Sequence, residues 1–251
     1  MILDEIVRRT EKRVANLPAT FPESPSRQRV SLAGAIRGRN GNNAVIAEIK
    51  CASPSSGIIR RNVDMAMMAG VLKDGGCTAI SVLTEPYFFG GTGQDIARVK
   101  SAVTIPVLRK DFIVDERQIA ESRALGADAV LLIAAVLGKR LPAFVSLAQE
   151  YDLEPLVETH TEAEVAAALA TDADLIGINN RNLSTMSIDR STTRLLSGPV
   201  RERGRLVVCE SGMRSADDVR ELKNYCDAFL IGSSIMASSR PGKKLEEFVC
   251  A

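Results

Sequence analysis

Residues 129–137 read AVLLIAAVL, nine apolar residues without a polar one among them. A strand of a parallel sheet that helices cover on both faces has this pattern, whereas a strand with one wet face alternates apolar and polar residues. The stretch therefore predicts a strand that is buried on both faces. No segment reaches the roughly 18 unbroken apolar residues of a membrane span, so none is predicted.

Seven similar aliphatic runs precede and follow this stretch. The eight runs begin near Ala44, Thr78, Pro106, Ala129, Glu154, Leu175, Arg205 and Ala228. Their starts lie about 26 residues apart on average, which is close to one strand plus one helix. The segment that Asp115 and Glu116 open has helical periodicity, and acidic residues favour a helix N-terminus. Eight such units predict an α/β fold, a single (β/α)8 or TIM barrel, which typically takes about 250 residues.

An open, doubly wound α/β sheet is the alternative. It would place a glycine-rich phosphate-binding turn after the first strand, but residues 50–55 read KCASPS. The barrel interpretation makes residues 44–251 the catalytic barrel and residues 1–43 an N-terminal helical extension, in one structural domain overall. In the extension, apolar residues predict an amphipathic helix and then a short helix at 32–37, with a Pro/Ser-rich stretch at 18–26 between them.

The composition excludes several classes of protein. Lys plus Arg number 32 and Asp plus Glu 31, so the net charge of +1 provides no basic field for nucleic acid or a membrane surface. Any bound anion must therefore be held by a local site. Five scattered cysteines and one histidine, His160, predict no metal site, and we expect His160 to be a loop residue. Reduced thiols and an N-terminus unlike a signal peptide predict a cytoplasmic protein.

Polar residues gather at the carboxyl ends of the predicted strands. Six of the eight runs end in charged or amide groups: Glu48 and Lys50, Glu85, Lys110 and Asp111, Glu158, Asn179 and Arg181, and Glu210 with Ser211. In a barrel these ends meet at one mouth, where the active sites of such barrels lie. Strand alternation places Glu48 and Lys50 on the same face. Charged side chains in aliphatic surroundings require either ion-pair partners or a functional role, so we expect an active site here.

Two glycine-containing turns predict a phosphate site at the same mouth. Ser211 and Gly212 follow the seventh run, and Gly232 and Ser233 follow the eighth and open a short helix-like segment. The loops after the last two strands of such barrels recurrently bind phosphate, because backbone N–H groups and a helix N-terminus point at the anion.

Seven segments of the chain resemble the indole-3-glycerol phosphate synthase family of tryptophan biosynthesis. They are IAEIKCASPS (46–55), SVLTEPYFFGG (81–91), PVLRKDFIVD (106–115), LVETHTEAE (156–164), IGINNRNL (176–183), CESG (209–212) and LIGSSIM (230–236). The resemblance implies a (β/α)8 barrel with an N-terminal helical extension. It also implies that 1-(2-carboxyphenylamino)-1-deoxyribulose 5-phosphate is closed to an indole with loss of CO2 and water, with no metal or organic cofactor.

The resemblance further implies roles for individual residues. Lys110 corresponds to the general acid that protonates the ketone oxygen, and Glu158 to the acid/base group of the later dehydration. Whether Lys110 or Lys50 delivers the first proton stays open. The implied catalytic set is Lys110, Glu158, Glu48, Lys50, Asn179, Glu210 and Ser211; the substrate- and phosphate-binding set is Ser55, Arg181, Gly212, Gly232 and Ser233; the wall around the aromatic ring is Pro54, Phe89, Phe112, Leu131 and Leu183.

The first loop departs from the family pattern, because Cys51 and Ser56 stand where the family usually or often has basic residues. Two other interpretations stay open. One is a different phosphate-binding barrel, an epimerase or isomerase, which would favour His, Asp or Cys at the mouth; the other is a barrel without activity that serves as a binding partner. The expected partner is a small phosphorylated substrate, with no nucleic acid and no membrane, and the expected state is a monomer or weak homodimer.

Overall fold

The computed structural model describes residues 2–22, 29–39, 41–182 and 185–251, so part of the Pro/Ser-rich stretch, residues 23–26, lies outside the described residues. Its strands are β1 (Ala44–Ile49), β2 (Ala52–Ser53), β3 (Gly57–Ile58), β4 (Ala79–Leu83), β5 (Val107–Lys110), β6 (Ala129–Ile133), β7 (Glu154–Thr159), β8 (Leu175–Asn179), β9 (Leu206–Glu210) and β10 (Ala228–Ile231). Its helices are α1 (Ile2–Val14), α2 (Leu32–Arg37), α3 (Met65–Asp74), α4 (Gln94–Ala102), α5 (Arg117–Ala124), α6 (Ala134–Leu137), α7 (Leu141–Glu150), α8 (Glu162–Leu169), α9 (Ser191–Glu202), α10 (Ala216–Leu222), α11 (Ser233–Met236) and α12 (Pro241–Val249).

Eight of the strands close into a parallel barrel. Strand β1 pairs with β4 on one side and with β10 on the other, and the ring runs through β5, β6, β7, β8 and β9. Every neighbouring pair is parallel, so all eight carboxyl ends meet at one mouth. The predicted (β/α)8 barrel is confirmed. Strands β2 and β3 form a small antiparallel hairpin in the first loop.

The alternation of side chains along β1 shows how the barrel separates two apolar layers. Ile46 belongs to the cluster inside the barrel, whereas Ala47 and Ile49 belong to the layer between strands and helices. Because successive side chains point to opposite faces, Glu48 and Lys50 follow Ile46 on the inner side and reach the mouth.

The apolar stretch 129–137 is only partly a strand. Strand β6 ends at Ile133, and Ala134–Leu137 forms the short helix α6. Gly138 then takes a φ of 51°, a conformation that glycine adopts without strain. A short apolar run has the same pattern in a buried strand and in a buried helical turn, so hydrophobic periodicity could not place this boundary.

Helix α2 fills the amino-terminal end of the barrel. Leu32, which has no exposed surface, and Ile36 join the apolar cluster inside the barrel. Glu154, at the start of β7, accepts hydrogen bonds from Ser31 Oγ at 2.6 Å and from the backbone N–H of Ala33 at 3.0 Å. A carboxylate therefore holds the positive end of the helix dipole against the barrel floor.

Helix α1 lies at the opposite end, over the mouth. Nη2 of Arg13 donates to both carboxylate oxygens of Asp111, at 2.9 Å each, just beyond the end of β5. At the other end of the helix, Ile2, Leu3 and Ile6 line the cavity at the mouth. The extension thus contacts both ends of the barrel. No helix in the described parts of the chain is long and apolar enough to span a bilayer.

Candidate active site

A cavity of about 470 Å³ opens at the mouth of the barrel. Its lining includes every predicted site residue that the structure describes: Glu48, Lys50, Pro54, Ser55, Phe89, Lys110, Phe112, Leu131, Glu158, Asn179, Arg181, Glu210, Ser211, Gly212, Gly232 and Ser233. The remaining one, Leu183, lies outside the described residues. The fold therefore brings these side chains together, while their individual roles stay predictions.

Lys110 lies at the centre of the charged groups in this cavity. Its Nζ is 3.1 Å from Oε2 of Glu158 on β7 and 3.5 Å from Oε2 of Glu210 on β9. Burial alone would lower the pKa of Lys110, but the carboxyl groups of Glu158, Glu210 and Glu48 outweigh it and raise this pKa above its ordinary value. The ammonium is therefore charged at neutral pH, as a proton donor must be.

The two carboxyl groups beside Lys110 differ in protonation. Burial raises the pKa of Glu210 to about 8, and the neighbouring Glu158 adds to that increase. Burial acts on Glu158 in the same direction, but Lys110, His160 and Asn179 outweigh it and hold the pKa of Glu158 well below its usual range. A protonated and an ionised carboxyl group thus lie side by side at neutral pH, the arrangement that acid/base chemistry requires.

Asn179 orients the ionised carboxylate. Its Nδ2 donates to Oε1 of Glu158 at 3.0 Å, and its Oδ1 accepts the backbone N–H of Arg181 at 3.0 Å. The amide is therefore fixed from both sides. The Arg181 guanidinium donates to the Met186 carbonyl at 3.0 Å, and burial together with the nearby Arg214 lowers the pKa of Arg181.

Glu48 and Lys50 form a second charged pair, with Nζ and Oε1 separated by 2.7 Å. A glycine makes room for it, because a Cβ at Gly232 would lie 2.4 Å from Oε1 of Glu48. Gly177 on β8 does the same for Glu210, whose Oε1 would lie 2.2 Å from an added Cβ. Gly177 was not predicted as a site residue, although glycine inside a strand often marks such a close approach.

The loops after β9 and β10, where an anion site is predicted, lie together at the cavity. Ser211 and Gly212 take φ values of 65° and 94°, so successive backbone groups turn sharply at the end of β9. Gly232 precedes α11, which begins at Ser233. The hydroxyl of Ser234 donates to the Met213 carbonyl at 2.9 Å and joins the two loops.

An apolar wall faces the charged groups. The rings of Phe89 and Phe112 lie with their centroids 6.1 Å apart and their planes tilted by 34°. Ile2, Leu3 and Ile6 of α1 extend this wall, and sequence reasoning did not assign them to the site. The apolar stripe of α1 is visible in the sequence. The surface on which the helix packs, however, depends on long-range contacts such as the ion pair between Arg13 and Asp111.

Two of the charged strand ends have structural rather than site partners. The carboxylate of Glu85 accepts backbone N–H groups of Tyr87, Phe88 and Phe89, at 3.0, 2.7 and 3.2 Å, and so shapes the loop that carries Phe89. Asp111 is buried between Arg13 and Arg109, with Oδ2 3.0 Å from an Arg109 nitrogen. Both carboxylates are therefore occupied in fixing loops around the mouth.

His160 was expected to be only a loop residue. It does follow the last residue of β7, but its Nε2 lies 3.3 Å from Oε1 of Glu158, and its Nδ1 lies 3.2 Å from Oε2 of Glu164. The sequence signal that could have identified it is its position two residues after Glu158, because residues two apart along a strand point to the same face. Among the residues that the structure describes, no group of three or more His, Cys, Asp and Glu side chains could hold a metal ion.

Comparison with known proteins agrees with the geometry of the mouth. The family model of indole-3-glycerol phosphate synthase matches residues 3–248. The chain belongs to this family. The proteins named indole-3-glycerol phosphate synthase from Caldanaerobacter subterraneus subsp. tengcongensis and Methanocaldococcus jannaschii are 42% and 40% identical to it, and each comparison covers 99% of this chain and 98% of the relative.

Solved structures support the fold independently. A tryptophan synthase structure from M. tuberculosis superposes with a TM-score of 0.64 over 87% of this chain and 98% of that chain, at 15% identity. A thiamine phosphate pyrophosphorylase from Pyrococcus furiosus reaches 0.61 over 87% and 96%, at 17% identity. At such low identity these similarities concern the barrel alone.

Proposed function

We propose that the chain is an indole-3-glycerol phosphate synthase, a carboxy-lyase of tryptophan biosynthesis. It converts 1-(2-carboxyphenylamino)-1-deoxyribulose 5-phosphate to indole-3-glycerol phosphate, CO2 and water. Membership of the family over nearly the whole chain supports this reaction. The observation that carries the mechanism is the position of Lys110, charged and within 3.5 Å of both Glu158 and Glu210 in a cavity with an apolar wall.

In the first step, the ring carbon that bears the carboxylate attacks the ketone carbon of the substrate. A carbon–carbon bond forms, and Lys110 gives a proton to the ketone oxygen as negative charge develops there. Lys110 suits this role because the neighbouring carboxylates keep it protonated until the transition state. Loss of CO2 then returns the electron pair of the broken bond to the ring and restores its aromaticity.

In the second stage, the neutral carboxyl of Glu210 gives a proton to the new hydroxyl, which leaves as water, and the adjacent carbon loses a proton, which creates the double bond of the indole. Glu158 accepts that proton, since it is the ionised member of the carboxyl pair. Asn179 and Glu48 hold the reacting groups in place, and Ser211 completes the mouth with Glu210. Glu210 is buried with a raised pKa and completes the mouth as a neutral acid.

The remaining predicted residues bind the two ends of the substrate. Backbone groups at Gly212, Gly232 and Ser233, with Ser55 of the first loop, receive the phosphate, and Arg181 orients the substrate. Lys50 pairs with the substrate carboxylate. A single ammonium holds that group less rigidly than a bidentate arginine would, so it does not oppose the departure of CO2.

The absence of tryptophan from the chain makes the reaction easy to follow. Indole fluorescence should appear over a weak tyrosine background when the carboxyphenylamino substrate is added to the purified, tag-free protein. One equivalent of CO2 should be released for each indole formed. No new fluorescence at saturating substrate, from a protein that is folded by circular dichroism, would refute the proposed function.

We also propose that residues 1–43 and 44–251 act as one structural domain, because α1 and α2 contact opposite ends of the same barrel. A small phosphorylated molecule is the partner that the family implies. The expectations of a monomer or weak homodimer, of no nucleic acid or membrane partner and of a cytoplasmic location stay predictions. Sedimentation at micromolar concentration would measure the first of them.

A further inference from the structure

The ring of His160 lies directly behind the proposed base. Its Nε2 is 3.3 Å from Oε1 of Glu158, on the side of that carboxylate away from Lys110, which approaches Oε2 at 3.1 Å. The side chains of His160 and Glu158 are 11% and 3% exposed. Glu158 therefore has a cationic or potentially cationic group at each of its two oxygens, and water has little access to either contact.

Local structure fixes the ring in this place. His160 sits between the end of β7 and Thr161, whose hydroxyl caps α8. Glu164, in the first turn of α8, accepts the backbone N–H of His160 at 2.8 Å with Oε2, and the same oxygen lies 3.2 Å from Nδ1. One carboxylate thus holds both the backbone and the ring of the histidine.

The two ring nitrogens lie near two different carboxylates: Nδ1 makes a hydrogen-bond contact with Glu164, whereas Nε2 is buried 3.3 Å from Oε1 of Glu158 without a hydrogen bond in this arrangement. A neutral imidazole has one N–H donor and one lone pair, so one nitrogen would oppose a carboxylate with a lone pair. An imidazolium has a proton on both nitrogens and can face Glu158 and Glu164 together. Burial would lower the pKa of His160, but these two carboxylates outweigh it and raise this pKa to about 10.

We propose that His160 is a positioning residue that keeps Glu158 ionised and oriented while Lys110 is engaged with the substrate. The inference rests on the role of Glu158 in the proposed function. When Lys110 gives its proton away, Glu158 loses the positive charge beside Oε2. A buried carboxylate without a cationic partner takes up a proton, and a protonated Glu158 could not accept one from the substrate.

The other groups that face Glu158 cannot replace this charge. Asn179 on β8 offers a neutral amide at 3.0 Å, and the neighbouring Glu210 is an acid. Glu164 on α8 is also an acid, and it contacts the ring of His160. His160 is therefore the one described cation besides Lys110 that lies within 4 Å of a Glu158 oxygen.

The first experiment measures the charge of the ring without turnover. Because the chain has a single histidine, tag-free protein labelled with 13C and 15N in histidine gives one imidazole signal. We expect that signal to be that of an imidazolium from pH 6 to pH 8, and its titration midpoint to fall by about one pH unit or more in Glu158→Gln. A midpoint near 6.5 that does not change in Glu158→Gln would overturn the proposal.

The second experiment measures the catalytic consequence in His160→Gln, which keeps a polar side chain but no charge. We expect the acid limb of kcat/KM to move to higher pH by about one unit, because the pKa of Glu158 rises. At the pH of the wild-type acid limb kcat should fall severalfold and should recover toward neutral pH, with KM changed by less than about twofold. His160→Lys, which restores a positive charge, should return the limb toward its wild-type position.

Ser31→Ala is the control, since it removes the cap of α2 at the amino-terminal end of the barrel, opposite the mouth. It should lower the thermal midpoint and leave the pH profile unchanged. A His160→Gln profile that superimposes on that of the wild type, while Glu158→Gln is inactive, would overturn the inference and leave the proposed function intact. A Glu158→Gln variant with wild-type turnover would refute the role of Glu158 and the inference with it.

Discussion

Gly177 provides the sharpest structural test of the carboxyl pair. It lies in the middle of β8, opposite Glu158 in the pairing of β7 with β8 and opposite Val208 in the pairing with β9. Its backbone conformation suits any residue, so Gly177→Ala adds no backbone strain. The added Cβ, however, would lie 2.2 Å from Oε1 of Glu210 and 3.3 Å from Cδ of the same side chain.

The size of the effect follows from these distances. A carbon and an oxygen that are not bonded need about 3 Å or more, so the Glu210 carboxylate must retreat by roughly 1 Å. Its Oε2, now 3.5 Å from Nζ of Lys110, then moves relative to the proposed proton donor. A displacement of about 1 Å in an active site can reduce turnover on the order of 100-fold. Overpacking of the buried site should cost about 1–3 kcal/mol of stability.

Steady-state fluorescence of the indole product measures kcat and KM, and urea unfolding measures the free energy of unfolding. Gly70→Ala is the matched control, because Gly70 lies inside α3 with no heavy atom within 4 Å of an added Cβ. That change should leave kcat unaltered and stabilise the helix by about 0.5–1 kcal/mol. A Gly177→Ala enzyme with wild-type kcat would refute the idea that the position of Glu210 matters for catalysis.

Helix α1, which covers the mouth, and the buried Glu210 can each be tested by a single substitution. Arg13→Ala should raise KM severalfold and change kcat less, because it removes the ion pair that holds α1 and its apolar wall to Asp111. Steady-state kinetics measure both constants, and Arg8→Ala, at an exposed position on the same helix, is the control. The pKa of Glu210 is about 8 in the folded state, against an ordinary value of 4.5, so between these two pH values the folded state holds a proton that the unfolded state has lost. Stability therefore declines as pH rises through that window, and Glu210→Gln should reduce the difference in unfolding free energy between pH 5 and pH 9 by about 1 kcal/mol or more. Urea titrations at both pH values measure the free energy of unfolding. In Glu210→Gln, His160 should cause the decline in stability that remains between about pH 6.5 and pH 10. If Glu210→Gln leaves the difference between pH 5 and pH 9 unchanged, the burial of a protonated Glu210 is contradicted.

The barrel and most of the cavity lining could be predicted because both depend on short-range rules. Aliphatic runs at a regular spacing specify parallel strands, and alternation along a strand decides that Glu48 and Lys50 share a face. Parallel topology then places the carboxyl ends of all strands at one mouth. These rules need no knowledge of which distant residues meet.

The features that escaped prediction depend on contacts between distant or specific groups. The buried Asp111 is paired with Arg13, which is 98 residues away in the chain, so the sequence around Asp111 could not distinguish a structural acid from a site acid. The same pair decides that α1 covers the mouth. The sequence assigns His160 no role in the site because one histidine cannot form a metal site, but a contact with a single carboxylate requires no second histidine.

The role of Lys110 is the central claim, and the substitution Lys110→Met tests it most directly, with kcat from product fluorescence and substrate affinity from calorimetry. A general acid acts mainly in the transition state, so kcat should fall by roughly 10²–10⁴-fold while substrate affinity changes by no more than about threefold. Lys50→Met should instead weaken substrate binding more than it lowers kcat. A folded Lys110→Met protein with nearly wild-type kcat would contradict the account and assign the first proton to Lys50.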